Sequence, residues 1–216
     1  MGNISLVTLI LIAANGLISF KGFQDHTFFE KYKFFVGAIK NGEKIRVFSS
    51  GFLHVNMQHL LFNMFSLYIF APVVINYLGQ SSLVIIYLVS LLVGNFLSYS
   101  FHKEDHYYTA VGASGAVMGI VYSAILLRPD MSLYLFFIPI PIPAYIFGIG
   151  YLLYSIYGMK ANNDNIGHDA HFGGAIGGYV STLILYPELI SRNLLMVVLL
   201  ALPIVILFLL KKTGRI

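Results

Sequence analysis

The chain has 216 residues, of which 58% are hydrophobic and 10% are charged, with 13 Lys and Arg against 9 Asp and Glu. A soluble domain carries about a quarter charged residues, so this composition excludes a soluble globular enzyme and indicates a membrane protein. The chain contains no Cys, which excludes disulfide scaffolds, thiolate metal sites and cysteine nucleophiles. Its net charge of +4 is spread over short loops, which argues against nucleic acid as a partner.

Seven apolar runs approach the length of about 20 residues that a helix needs to cross a bilayer. They cover residues 4–20, 57–78, 81–101, 112–127, 132–158, 168–186 and 191–210. We therefore expect an all-α, polytopic transmembrane helix bundle that forms a single membrane domain over residues 1–216. The first run has no basic stretch before it, so it is predicted to be a retained span and not a signal peptide.

The segment between the first two spans, residues 21–56, differs from the rest of the chain. It mixes several phenylalanines with six basic residues, Lys21, Lys31, Lys33, Lys40, Lys44 and Arg46. Cationic side chains beside aromatic ones are typical of a structure that lies at the lipid headgroups. The segment is predicted to be interfacial, with an ordinary amphipathic loop as the alternative.

Three prolines, Pro139, Pro141 and Pro143, fall inside the fifth run. Proline removes a helical hydrogen-bond donor and clashes with the preceding turn. Part of residues 132–145 is therefore expected to be a loop or a distorted turn.

Polar residues cluster at the start of the even-numbered runs. An ionisable group inside a span costs several kcal/mol, so each one is a functional hypothesis. The second run opens with His54, His59 and Asn63, the fourth with Gly112-Ala113-Ser114-Gly115, and the sixth with His168, Asp169 and His171. His59 and Asn63 share a helix face, whereas His54 and His59 lie about 140° apart on a helix, a poor arrangement for a metal. No metal or cofactor is predicted.

Three of these polar residues are predicted to lie at one depth, because the second, fourth and sixth spans begin at the same membrane face. From Asn63, Ser114 and His171 to the far end of each span is roughly 21–24 Å at about 1.5 Å per residue. In a hydrocarbon core of roughly 30 Å, this layer lies about 6–9 Å below the near surface. An amide, a hydroxyl and an imidazole thus meet in one layer.

That combination suits nucleophilic chemistry at a carbonyl. A serine hydroxyl becomes a nucleophile when a base takes its proton, and histidine is the usual base near neutral pH. Attack on a peptide carbonyl builds negative charge on oxygen, which an Asn side chain, a His N–H and a backbone N–H can stabilise.

Matching glycine pairs favour close contact between the fourth and sixth spans. Gly115 and Gly119 are four residues apart, as are Gly174 and Gly178. Small residues at this spacing let membrane helices approach closely. Such packing brings the serine of the fourth span towards the histidines of the sixth.

Within the sixth run, His171 is the favoured base. Asp169 is two residues away and points to another side of the helix, so it is badly placed to orient His171. His168 is the alternative base, but it lies one helical turn shallower.

Three motifs follow one another along the chain: His54-x4-His59-x3-Asn63, Gly112-Ala113-Ser114-Gly115, and Ala170-His171-x2-Gly174-x3-Gly178. In type and order they resemble the motifs of the rhomboid family of intramembrane serine proteases, over roughly residues 4–186. The resemblance implies a six-helix core with residues 191–210 as an added C-terminal span. It also implies that Ser114 is the nucleophile and His171 the general base of a dyad without an acid. The implied oxyanion hole consists of His59, Asn63 and the Ser114 N–H, with structural support from His54, Gly112, Gly115, Gly119, Gly174 and Gly178.

Two positions depart from the family pattern. Members often carry a Trp-Arg pair in the first loop, whereas here Ile45 precedes Arg46 and the chain has no Trp. Arg46 is still expected to anchor the loop. Met118 stands one helical turn after Ser114, where some relatives place an aromatic ring on the catalytic histidine; a sulfur–aromatic contact of up to about 1.5 kcal/mol could replace that stacking. Neither departure touches the dyad, so the resemblance implies an active enzyme.

The resemblance further implies a serine endopeptidase whose partners are transmembrane protein substrates and membrane lipids. A substrate helix must unwind near its membrane edge before it can be cut, so weak helix formers are expected there. The fifth span is expected to be the wall through which substrate enters sideways. The alternatives are a catalytically inactive rhomboid-like binder of membrane proteins and, less favoured, a proton-coupled transporter.

Two indicators of membrane orientation disagree. Eleven of the 13 Lys and Arg residues lie on the face of the predicted active site, which by the positive-inside rule would be cytoplasmic. The family places that face on the extracytoplasmic side of the cell membrane. Because six of the eleven lie in the half-submerged segment 21–56, we follow the family.

Overall fold

The computed structural model describes residues 4–135, 138–161, 164 and 166–215. Its longer helices are α1 (Leu6–Gln24), α5 (Met57–Leu78), α6 (Gln80–His102), α7 (Ser114–Leu127), α8 (Ala144–Ala161), α9 (His168–Leu185) and α11 (Leu194–Lys212). Short helices are α2 (His26–Tyr32), α3 (Val36–Lys40), α4 (Arg46–Ser49) and α10 (Glu188–Arg192), with a 3₁₀ turn at Ser50–Phe52. A helix thus lies in each of the seven predicted spans, although in the fifth it begins only at Ala144, and the predicted polytopic bundle is confirmed.

Among the described residues, four helices are long and apolar enough to cross a membrane by length and composition: α1, α5, α6 and α11. Helix α7 is a shorter apolar helix of 14 residues. It is buried along nearly its whole length and packs against α5, α6 and α9. The helix that begins at Ser114 is therefore the centre of the bundle.

The link between α5 and α6 is a single residue, Gly79, with a φ of 84°. A residue with a Cβ is disfavoured in that region, so glycine allows one helix to end and the next to begin at once. This tight turn fixes α6 beside α5.

The prolines of the fifth predicted span interrupt its helix, as the sequence predicts, but the interrupting segment is a pair of strands and not a loop or a distorted turn. Strands β3 (Ser132–Leu135) and β4 (Ile138–Pro143) form an antiparallel pair, and α8 begins only at Ala144. The alternating prolines of β4 explain the difference, since they cannot donate the hydrogen bonds of a helix and favour extended backbone.

In segment 21–56, α1 continues to Gln24 and is followed by α2, a short strand β1 (Phe34–Phe35), α3, α4 and the 3₁₀ turn. Strand β1 pairs with β2 (Thr109–Ala110), which lies just before α7. The Val36 N–H also donates to the Tyr108 carbonyl at 3.1 Å. The first loop therefore supports the backbone that leads into Ser114.

Candidate active site

Helices α7 and α9 touch through their backbones. A Cβ added to Gly174 would overlap the carbonyl oxygen of Gly115, and one added to Gly178 would overlap that of Gly119. The two glycine pairs therefore face each other as their spacing predicts, with no room for side chains between them.

Helix α6 joins this contact near the start of α9. A Cβ on Gly94 would lie 2.7 Å from the Ala170 carbonyl oxygen, and one on Gly173 would lie 2.8 Å from that of Val93. Both distances are too short for real atoms. The first turn of α9, which contains His171, is thus fixed against two neighbouring helices.

Ser114 is the first residue of α7, and its side chain is half-buried. Two residues earlier, Gly112 has a φ of 134° and donates its N–H to the Ser50 carbonyl at 3.0 Å. A Cβ on Gly112 would lie 2.7 Å from Cε1 of His59 and 3.6 Å from the Ser114 hydroxyl oxygen. Glycine is needed here both for its backbone angle and because the His59 ring occupies the adjacent space.

His54 lies just before α5 and holds the loop that precedes Ser114. The Ser19 hydroxyl donates to the Phe52 carbonyl at 2.9 Å, so its oxygen accepts from Nδ1–H of His54 at 2.8 Å. His54 Nε2 then accepts the Ala113 N–H at 3.3 Å. Burial, together with the nearby His59 ring, lowers the pKa of His54 to about 3, consistent with this neutral form. The chain of bonds links α1 to the residue before the predicted nucleophile.

We expect Ser19→Ala to destabilise this region, because it leaves the buried Nδ1–H of His54 without an acceptor. An unsatisfied buried donor costs about 1–3 kcal/mol. The melting temperature of the purified protein measures the effect. Ser191→Ala is the control, since Ser191 is exposed and its hydroxyl donates to the Glu188 carbonyl of its own short helix. Equal melting temperatures for the two variants would show that the His54 bonds add no stability.

Asn63 lies one turn after His59 on α5 and is 7% exposed. Its Nδ2 is buried and donates to no atom of the described residues. A buried N–H without an acceptor is costly, and such groups call for a structural or functional reason. The Nδ2 group of Asn63 is therefore able to donate a hydrogen bond to a further acceptor.

His171 lies in the first turn of α9 and is half-buried. Its backbone is near the helix that begins at Ser114, since a Cβ on Gly115 would lie 3.1 Å from the Ala170 carbonyl oxygen. Among the described residues, no hydrogen bond joins the Ser114 hydroxyl to the His171 ring. The ring nitrogen Nδ1 of His171 instead lies 2.6 Å from the Tyr151 hydroxyl of α8. Catalytic hydrogen bonds are often long without substrate and shorten when substrate binds.

Tyr151 is a contact that sequence reasoning missed. The fifth run contains no Asp, Glu, Lys, Arg or His between residues 132 and 158, so it offered no ionisable residue to draw attention. A tyrosine in an apolar helix is usually part of the packing.

The other polar residues of the sixth run have partners away from His171. The Asp169 carboxylate lies 3.3 Å from Nε2 of His102 on α6, which confirms that it does not orient His171. His168 is buried and pairs with Asp164 at 3.1 Å. Of the two histidines of the sixth run, His168 thus pairs with Asp164, and His171 bonds to Tyr151.

Arg46 is buried and tied to the first loop. Its guanidinium donates to the Glu43 carboxylate at 2.7 Å and to the carbonyls of Glu30 and Lys33 at 2.7 and 3.1 Å. Ile45, where relatives often have Trp, is 58% exposed. Arg46 thus makes the predicted loop contacts without an aromatic neighbour at position 45.

Met118 is half-buried and packs at the edge of the core formed by the bundle. A contact between its sulfur and the His171 ring stays a prediction. The aromatic ring near His171 belongs to Tyr151, with ring centroids 6.2 Å apart and an angle of 26° between the planes.

Residues 41–188 match the family of the Rhomboid domain. The chain belongs to the rhomboid family. Together with the apolar helices described above, this membership makes it an integral, multi-pass membrane protein.

Three curated relatives show the range of similarity. RHOMBOID-like protein 12, mitochondrial, of Arabidopsis thaliana is 30% identical over 190 residues, or 78% of this chain and 55% of that protein. Presenilin-associated rhomboid-like protein, mitochondrial, of Homo sapiens is 31% identical over 135 residues, or 60% and 35%. Putative rhomboid protease YdcA of Bacillus subtilis is 38% identical over 82 residues, or 38% and 40%. The matched part of the chain spans about half of these relatives' lengths or less.

Proposed function

We propose that this rhomboid protein is a serine endopeptidase that cuts transmembrane helices near their membrane edge. Ser114 would be the nucleophile and His171 the general base. The observation that carries the proposal is the backbone contact between α7 and α9, which holds the first residue of one helix beside the first turn of the other. Membership of a family that consists generally of serine intramembrane proteases supports it.

The chemistry follows from these two groups. The Ser114 oxygen would attack the peptide carbonyl carbon while its proton passes to Nε2 of His171. The tetrahedral intermediate would collapse by breaking the C–N bond, with His171 returning the proton to the leaving amine. Water would then attack the acyl-enzyme ester, again losing a proton to His171, and the Ser114 oxygen would leave with that proton.

Three donors are suited to the charge that forms on the carbonyl oxygen. The unpartnered Nδ2 of Asn63 is one, and the His59 ring beside Gly112 is another. The Ser114 N–H is the third, because the first four N–H groups of a helix have no partner within it. Removing one oxyanion donor typically lowers kcat by about 10²–10³-fold, so Asn63 would contribute strongly to the rate.

The surroundings of Ser114 suggest a substrate class. Glycines lie on both sides of the serine, which favours a small side chain before the scissile bond. Since a helical substrate has every backbone group paired, the cut requires an unwound stretch with weak helix formers such as Gly. The proposed partners are transmembrane proteins that carry such a stretch at the membrane edge.

Reconstituted vesicles can test the proposal. The wild type and Ser114→Ala would be incubated with a labelled transmembrane substrate that contains a Gly-rich juxtamembrane stretch. Cleavage by the wild type and none by Ser114→Ala is expected. Binding of the substrate without cleavage by either protein would indicate an inactive binder. Proton flux that survives Ser114→Ala would indicate a transporter.

We further propose that the chain forms one domain in the cell membrane with its active site on the extracytoplasmic side. The family resemblance supports this orientation. The excess of Lys and Arg on the same face favours the opposite orientation.

Reporter fusions test this orientation. A reporter fused after residue 216 is expected to be extracytoplasmic, because α11 would return the chain to the active-site face. A reporter inserted in the 128–131 turn is expected to be cytoplasmic. The opposite pattern would show that the positive-inside rule decides the topology.

A further inference from the structure

We propose that Tyr151 is a positioning residue for the catalytic base. Its phenolic oxygen accepts the hydrogen of Nδ1 of His171 and so keeps Nε2 free to take the proton of Ser114. This inference rests on the proposed function.

The contact is short and is made between two helices. The Tyr151 hydroxyl on α8 lies 2.6 Å from Nδ1 of His171 on α9. The two rings are 26° from parallel, with centroids 6.2 Å apart. On α8, the Ser155 hydroxyl donates to the Tyr151 carbonyl at 3.0 Å, a local bond within the helix.

No carboxylate of the described residues takes this place. Asp169 lies 3.3 Å from His102, and Asp164 pairs with His168 and accepts from Tyr154 at 3.3 Å. Within the described chain, the Tyr151 hydroxyl is the group that hydrogen-bonds to the His171 ring. The Tyr151 hydroxyl therefore occupies the position at Nδ1 of His171 that the carboxylate of a catalytic triad takes beside its histidine.

The direction of this bond determines what His171 can do. A neutral imidazole carries its hydrogen on one nitrogen and a lone pair on the other. If Nδ1–H donates to Tyr151, the lone pair of Nε2 is available to the serine. If Tyr151 donated instead, the hydrogen would sit on Nε2 and block proton transfer. The first arrangement also leaves an acceptor for Nδ1–H when His171 becomes charged during the reaction.

Tyr151→Phe tests the role because it removes the oxygen and keeps the ring. We expect kcat to fall about tenfold, with KM and the melting temperature unchanged, as for the loss of one oriented hydrogen bond. Tyr154→Phe is the matched control, since it removes a hydroxyl from the same helix that bonds to Asp164. Its kcat should equal that of the wild type.

Nitrogen-15 spectra of histidine-labelled protein give a second readout that packing alone would not move. The His171 signals, identified by their loss in His171→Gln, should show hydrogen on Nδ1 in the wild type. They should shift towards the Nε2–H form in Tyr151→Phe. An unchanged kcat and unchanged spectrum in Tyr151→Phe, with an active wild type, would overturn this inference and leave the protease proposal standing. A wild type that cleaves no substrate would overturn both.

Discussion

Ser114→Ala, His171→Ala and the double variant are expected to lose the same large factor in kcat, about 10³-fold or more. In the proposed dyad the serine and the histidine act as one unit, so removing the second group costs little once the first is gone. The measurement is initial cleavage rate in vesicles under saturating substrate for all three variants.

Two exposed positions provide controls for this comparison. Ser191→Ala and His26→Ala remove the same side-chain types at exposed positions, and they should cleave at the wild-type rate. If the double variant lost the product of the two single factors, Ser114 and His171 would act independently, and the dyad would be wrong. Substantial activity in His171→Ala would direct attention to another base.

Gly178→Ala is expected to destabilise the protein by about 3 kcal/mol, the upper part of the range for overpacked cores. Its methyl group would overlap the carbonyl oxygen of Gly119, which is backbone and cannot swing aside. Helices α7 and α9 would have to separate, and the contacts between them would be lost. The expected fall in melting temperature is about 10 °C.

Gly16→Ala is the matched control, because it makes the same change on α1 where a Cβ would meet nothing within 4 Å. Alanine there should change stability by less than about 1 kcal/mol, and in the stabilising direction. Equal melting temperatures for Gly178→Ala and Gly16→Ala would mean that the backbones of α7 and α9 are not in close contact.

The sequence predicts the fold well because membrane insertion imposes long apolar runs on it. The prolines of β4 mark where that signal fails, since Ile and Pro alternate in a segment as apolar as a span but without helical hydrogen bonds. The glycine spacing of α7 and α9 is equally informative, because only glycine permits such close approach. Hydropathy alone would not have paired those two helices.

The site is only partly predictable from sequence. The polar residues at the starts of the even spans stand out because ionisable groups are expensive there. The Tyr151 hydroxyl does not stand out in the sequence, because tyrosine is common in apolar helices and carries no charge. The partner of Asp169 depends on the rotation of α6, which places His102 beside it. No local pattern contains that information.

The backbone contact between the glycines of α7 and α9 limits how these two helices can move. Helices that touch backbone to backbone have no flexible side chains between them to absorb motion, so α7 and α9 would move as a single rigid unit that carries both Ser114 and His171. The sideways entry of a substrate helix, as proposed above, would then have to open a contact other than the one between α7 and α9. Helix α8, which carries Tyr151, packs against α7, α9 and α11, and an outward movement of α8 would separate Tyr151 from His171 without changing the distance between His171 and Ser114.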